Sequence, residues 1–178
     1  FDRRATDDAG IRPTLGGVQV WLNRGAGAAT GRLLGDAVYG DERPDVAAAQ
    51  GAHPFGIDIA SDVVHEARSA MHGFRPRFAV ADVRFIPFVY NTFDLVYSMG
   101  TIEHFPEYSQ AVAEIFRVLK PGGIAIIGVP NKLDPFLRPL LVTLLNHLNL
   151  YAYGREKAFT IGELRALLEA TGFEVVGC

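Results

Sequence analysis

Short apolar runs separated by helix-period segments constrain this chain more than any other feature, because a strand apolar on both faces needs helices to cover both. The runs lie at residues 18–22, 54–57, 78–81, 94–97 and 124–129, and a sixth begins near Phe173. Between them, residues 62–71 and 107–119 read as helices, the second carrying Val112, Ile115, Phe116 and Leu119 on one face. That helix stops at Lys120-Pro121-Gly122-Gly123, where proline and glycine cannot continue it. The pattern predicts an α/β fold: a doubly wound, mostly parallel sheet with helices on both faces.

Local punctuation supports this reading. Thr160-Ile161-Gly162-Glu163 is a capping-box pattern, and Gly172 stands where a helix C-terminal cap belongs. Residues 35–43 read as an inserted loop dividing a helix into pieces at 29–34 and 44–50. Residues 134–150 place Leu137, Leu140, Leu141, Leu144, Leu145 and Leu148 at helical spacing, an amphipathic helix that we read together with the turn up to 157 as a lid. There is no internal repeat, low-complexity tract or linker, so residues 1–178 are expected to form one domain. The chain ends as its last strand begins, which predicts truncated C-terminal strands and an open sheet edge.

Composition narrows the function classes. A formal charge of -3 and a pI near 5.9 supply no basic field for a polyanion, so nucleic acid is not an expected partner. The single cysteine, Cys178, cannot close an intramolecular disulfide, and the amino terminus lacks a basic-then-apolar leader pattern. A cytoplasmic protein is therefore expected. No apolar run reaches the roughly 18 residues needed to span a bilayer, leaving at most peripheral membrane contact through the 134–150 helix. No metal site is read from the sequence.

The chemistry-bearing residues fall at strand ends. After the first run comes Asn23-Arg24-Gly25-Ala26-Gly27-Ala28-Ala29-Thr30-Gly31, whose glycines permit close backbone approach to a ligand but also occur in ordinary turns. The second run ends Phe55-Gly56-Ile57-Asp58, where a carboxylate can accept from both hydroxyls of a ribose or simply stabilise a helix N-terminus. The third closes Ala81-Asp82-Val83, a second acid at the same edge, suited to an adenine amino group or to a solvated turn.

These pieces, followed in order by Phe93-Asp94-Leu95-Val96-Tyr97-Ser98-Met99, Ile102-Glu103-His104-Phe105 and Arg117-Val118-Leu119-Lys120-Pro121-Gly122-Gly123, make a chain that resembles the class I S-adenosylmethionine-dependent methyltransferases. The resemblance runs from about Leu15 to the end and is closest to the small-molecule branch that includes quinone-biosynthesis enzymes. It implies a Rossmann-like sheet and S-adenosylmethionine as cofactor, with S-adenosylhomocysteine as product. By position, Asn23, Gly25 and Gly27 would meet the methionine part, Asp58 with Ile59 the ribose, Asp82 with Val83 the adenine, and Ser98 and Met99 the border of the site. The chain departs from the family at Asn23, where an acid is usual, and at Ala26 and Ala29 in the glycine turn.

A sulfonium methyl is already activated, so the protein's task is alignment and exclusion of water, with a base needed only for an acceptor that must lose a proton. His104 is the candidate base. Glu103 is the second candidate, because cyclopropane-forming relatives use a glutamate in a similar Glu-His-Phe context to help bind bicarbonate. The alternative is that both cap or orient the following helix. Tyr151, Tyr153, Arg155 and Lys157 are candidates for binding a small-molecule acceptor at the entrance. Two other functions stay open: a catalytically silent binding module, motivated by Asn23, Ala26 and Ala29, and an NAD-dependent oxidoreductase, which shares Gly25-x-Gly27. Against the second, its third glycine would fall on Thr30, and Asp58 lies further on than the roughly 20 residues expected.

Overall fold

The computed structural model describes residues 17–23 and 32–36 as backbone, and 53–70, 77–133, 141, 144, 145, 147, 148 and 156–177 more fully. Seven strands form one sheet: β1 (Gly17–Asn23), β2 (Arg32–Asp36), β3 (His53–Asp58), β4 (Arg77–Val80), β5 (Phe93–Met99), β6 (Leu119–Pro130) and β7 (Glu174–Gly177), in the order β4-β3-β2-β5-β6-β1-β7. Strands β4, β3, β2, β5 and β6 run parallel, while β1 is antiparallel to both β6 and β7. The helices described from end to end are α1 (Ser61–Ala70), α2 (Tyr108–Val118) and α3 (Ile161–Thr171), with short 3-10 turns at Val83–Phe85 and Ile102–His104 among the described residues.

Alternation along β4 shows that the helices cover both faces. Phe78 joins Val64 and Ala67 of α1 in a small cluster, while its neighbour Ala79 packs against the main core with α2 and α3. Arg68 adds a hydrogen bond from α1 to the Phe78 carbonyl. The main core holds Ile57, Phe93, Val96, Val112, Ile115, Ile127, Leu164 and Leu168. Helix α2 buries Ala111, Val112, Ile115 and Val118, and Phe116 meets Phe173 edge-on with centroids 4.9 Å apart. The fold is α/β and Rossmann-like, as expected.

One expectation about the amino-terminal part is overturned. The first apolar run forms a strand as expected, and β1 lies beside β6, pairing from Gly17↔Pro130 to Asn23↔Ile124. The middle of the five parallel strands is β2, at residues read from sequence as the end of a helix and the start of an inserted loop. Its Leu33, Leu34 and Gly35 bond in register to Leu95, Val96 and Tyr97 on one side and to Pro54, Phe55 and Gly56 on the other. Two parallel partners outweigh the weak helical periodicity of so short a segment. The predicted helix piece at 44–50 lies outside the described residues.

The carboxyl-terminal features match their sequence signals. Thr160 Oγ1 accepts from Glu163 N at 3.1 Å, Glu163 Oε2 accepts from Thr160 N at 2.7 Å, and Gly172 takes φ 104° at the C-cap. A side chain at Gly172 would be strained and would press on the Phe116 ring at 3.0 Å. Of the predicted 134–150 helix, Leu141, Leu144, Leu145 and His147 are helical, and Leu141, Leu144 and Leu148 are exposed.

Candidate functional site

The parallel strands β3, β4 and β5 end at one edge, and the residues that follow them form a cleft lined by Ile57, Asp58, Ile59, Ala81, Val83, Thr101 and Phe105. Such an edge gathers exposed strand-end groups over an apolar floor, the usual place for a ligand in an open α/β sheet. The Ala81 amide donates to the Asp58 carbonyl at 2.9 Å, holding the two strand ends together.

Asp58 is half-buried in this cleft. Its Oδ1 accepts from Ala60 N at 2.8 Å, so one carboxylate oxygen serves the turn into α1. Ile59 projects beside it at 58% exposure, and Val83 is buried. Asp82 is a cap rather than a solvated turn residue: its Oδ1 accepts from Arg84 N at 2.8 Å, and its Oδ2 accepts from Arg84 Nη2 at 2.6 Å. Hydrogen bonds from the Arg84 guanidinium hold the Asp82 carboxyl below the usual carboxylate range, partly opposed by burial, and Arg84 is in turn pushed up.

The remaining candidates are spread around this edge. Glu103 is 4% exposed in the Ile102–His104 turn, and its carbonyl accepts from Lys157 N at 3.0 Å. His104 N donates to the Thr101 carbonyl at 3.2 Å. Neither lines the cleft around Asp58, and the N-cap position of α2 is Glu107. Ser98 is buried, and Met99 packs over Gly128, where an added Cβ would sit 2.3 Å from Met99 Cε. Lys157 lies over the rings of Tyr108 and Phe159 and donates to Tyr108 Oη at 2.6 Å. Gly25, Gly27, Tyr151, Tyr153 and Arg155 lie outside the described residues.

Asn23 ends an antiparallel strand and pairs with Ile124, midway along β6, whereas Asp58 ends a parallel strand. The two strand ends therefore point to opposite edges of the sheet. The strand that ends at the cleft edge is β2, whose Asp36 is in register with Ile57. Thr101, Phe105 and Arg84 escaped the sequence reading. For Phe105 the signal was an aromatic directly after Glu103-His104; for Arg84 it was a base two residues after an acid at a strand end.

Comparisons with known proteins agree with this geometry. Residues 39–127 match the methyltransferase domain family, a span that leaves out Asn23 and its glycine turn. A Mycolicibacterium smegmatis protein named "Probable S-adenosylmethionine-dependent methyltransferase" is 30% identical over 142 residues, covering 74% of this chain and 52% of the relative. Demethylmenaquinone methyltransferase of Thermus thermophilus is 30% identical over 148 residues, covering 71% of this chain and 66% of the relative. The chain thus spans about half to two thirds of the length of these relatives. The crystal structure of an S-adenosylmethionine-dependent methyltransferase from Methanosarcina mazei superposes with a TM-score of 0.66 at 21% identity, covering 83% of this chain and 81% of that one, a likeness of fold. With its parallel strand ends gathered around Asp58 and half its length matched, the chain belongs to the class I S-adenosylmethionine-dependent methyltransferase family.

Proposed function

We propose that the protein carrying this chain binds S-adenosylmethionine in the cleft beyond β3, β4 and β5 and transfers its methyl group to a small-molecule acceptor. The observation that carries the reading is Asp58, a carboxylate at the tip of a parallel strand beside an apolar slot of Ile57, Ile59, Ala81, Val83 and Phe105. Those residues suit a nucleoside: flat apolar walls for a purine and an acceptor carboxylate for ribose hydroxyls.

The bound cofactor would supply an electrophilic sulfonium methyl. Asp58 holds the sugar, Ile59, Val83 and Phe105 exclude water from the base, and the turn at Ile102–His104 stands next to the strand end where an acceptor would approach. His104 would take a proton from an acceptor that must lose one, with Glu103 as the second candidate. The Thermus relative's name makes a quinone-like ring one acceptor class to try.

Asp58→Ala tests the reading. Removing the ribose acceptor should weaken S-adenosylhomocysteine binding by about 1–3 kcal/mol in calorimetry while the variant stays folded. An unchanged dissociation constant would remove Asp58 from the site.

A further inference from the structure

Resting on the cofactor reading above, we infer that Arg84 is a positioning residue for the nucleobase end of the cleft, and that Asp82 acts through Arg84 rather than on the base itself. The geometry is specific. Asp82 Oδ1 accepts from Arg84 N at 2.8 Å and Nε at 3.0 Å, and Oδ2 accepts from Nη2 at 2.6 Å and Nε at 3.1 Å. A carboxylate offers about four lone-pair sites, and these contacts occupy both oxygens in a bidentate fork. An adenine amino group would have to compete with a guanidinium already in place.

The same guanidinium reaches further. Its Nη1 donates to Glu107 Oε2 at 2.7 Å, the N-cap residue of α2, and its carbon sits 4.7 Å from the centroid of Phe105. Gln110 Nε2 donates to the Arg84 carbonyl at 3.1 Å. One side chain therefore joins the turn after β4, which carries Val83, to the segment before α2, which carries Phe105. Val83 and Phe105 both line the cleft, and Arg84 touches the Phe105 ring without lining the cleft itself. Lysine at this position would keep a charge but lose the planar fork and the stacking face.

The test is a double-mutant cycle on cofactor affinity, with S-adenosylhomocysteine as the probe in calorimetry and circular dichroism as the check of folding. Arg84→Met should weaken binding about tenfold, roughly the loss of one well-made hydrogen bond's ordering effect, and Arg84→Lys should recover part of it. Asp82→Asn should weaken binding in the wild-type background but add little once Arg84 is gone. A role confined to stability would move melting without producing this non-additivity. If Asp82→Asn costs the same in both backgrounds, Asp82 contacts the base directly and the inference is overturned. If Arg84→Met binds as the wild type does, it is overturned as well. Failure of the wild type to bind the probe would instead bring down the cofactor reading on which this one rests.

Discussion

Two arginines tie the connection between β4 and β5 to helix α2, and they do so in opposite ways. Arg84 belongs to the connection and reaches outward to side chains, Asp82 and Glu107, beside the cleft. Arg117 belongs to α2 and reaches into the connection, donating to the carbonyls of Phe88 at 2.7 Å and Ile86 at 2.8 Å while Glu114 grips it from one turn earlier. Glu114 completes the circuit by accepting from Ile86 N at 2.8 Å. An arginine whose bonds end on backbone groups fixes the path of the chain, whereas one whose bonds end on side chains leaves the path alone and sets the orientation of its neighbours.

The sharpest way to break this contrast is Arg117→Met. It strands the Glu114 carboxylate and two carbonyls in a partly buried setting, so stability should fall by about 2–4 kcal/mol in urea unfolding, with the cofactor affinity of the folded protein unchanged. A greater loss from Arg84→Met would invert the comparison. A smaller effect lies in the pH dependence. Hydrogen bonds from Arg117 hold Glu114 below its ordinary value of 4.5, with burial opposing, so its folded pKa lies under its unfolded one. The stability this contributes is present above about pH 4.5 and is lost as pH falls through the folded value. Unfolding midpoints measured from pH 6 down to about pH 3 should therefore drop in the wild type and drop less steeply in Arg117→Met. Asp82 adds to the same acid limb through Arg84. The smallest effect is expected for Glu107→Gln, because Glu107 is 53% exposed and its pair with Arg84 is screened by solvent. Its melting temperature should match the wild type within error, and a clear drop would make the outer arginine structural after all.

Much of this site was legible before any coordinates. Asp58 at the end of β3, and Asp82 and Val83 after β4, follow from apolar runs that stop at an acid, and both acids are where strand periodicity puts them. The role of Asp82 was less legible. An acid at a strand end offers an acceptor, and nothing in Asp82-Val83-Arg84 says that the arginine folds back onto it while also reaching Glu107, 23 residues on. Lys157 shows the same limit: the Tyr108 ring that its ammonium lies over, beside that of Phe159 two residues on, comes from a segment 49 residues away.

The largest miss was β2, read as a helix end and a loop, and it has a plain cause. Apolar alternation reports which face a residue presents, and β1 and β2 both carry short apolar runs. It carries no information about which strand lies alongside or in which direction, because every residue type but proline offers the same backbone donor and acceptor. The sequence by itself determined the local units: the capped helix from Thr160 to Gly172, the end of α2 before Pro121, and strands that stop at acids. Only the tertiary structure decided that Arg32–Asp36 takes the middle of the parallel strands, between β3 and β5, and that Gly17–Asn23 runs antiparallel beside β6, since those choices rest on pairing between segments distant in the chain, as Leu33 with Leu95 and Asn23 with Ile124.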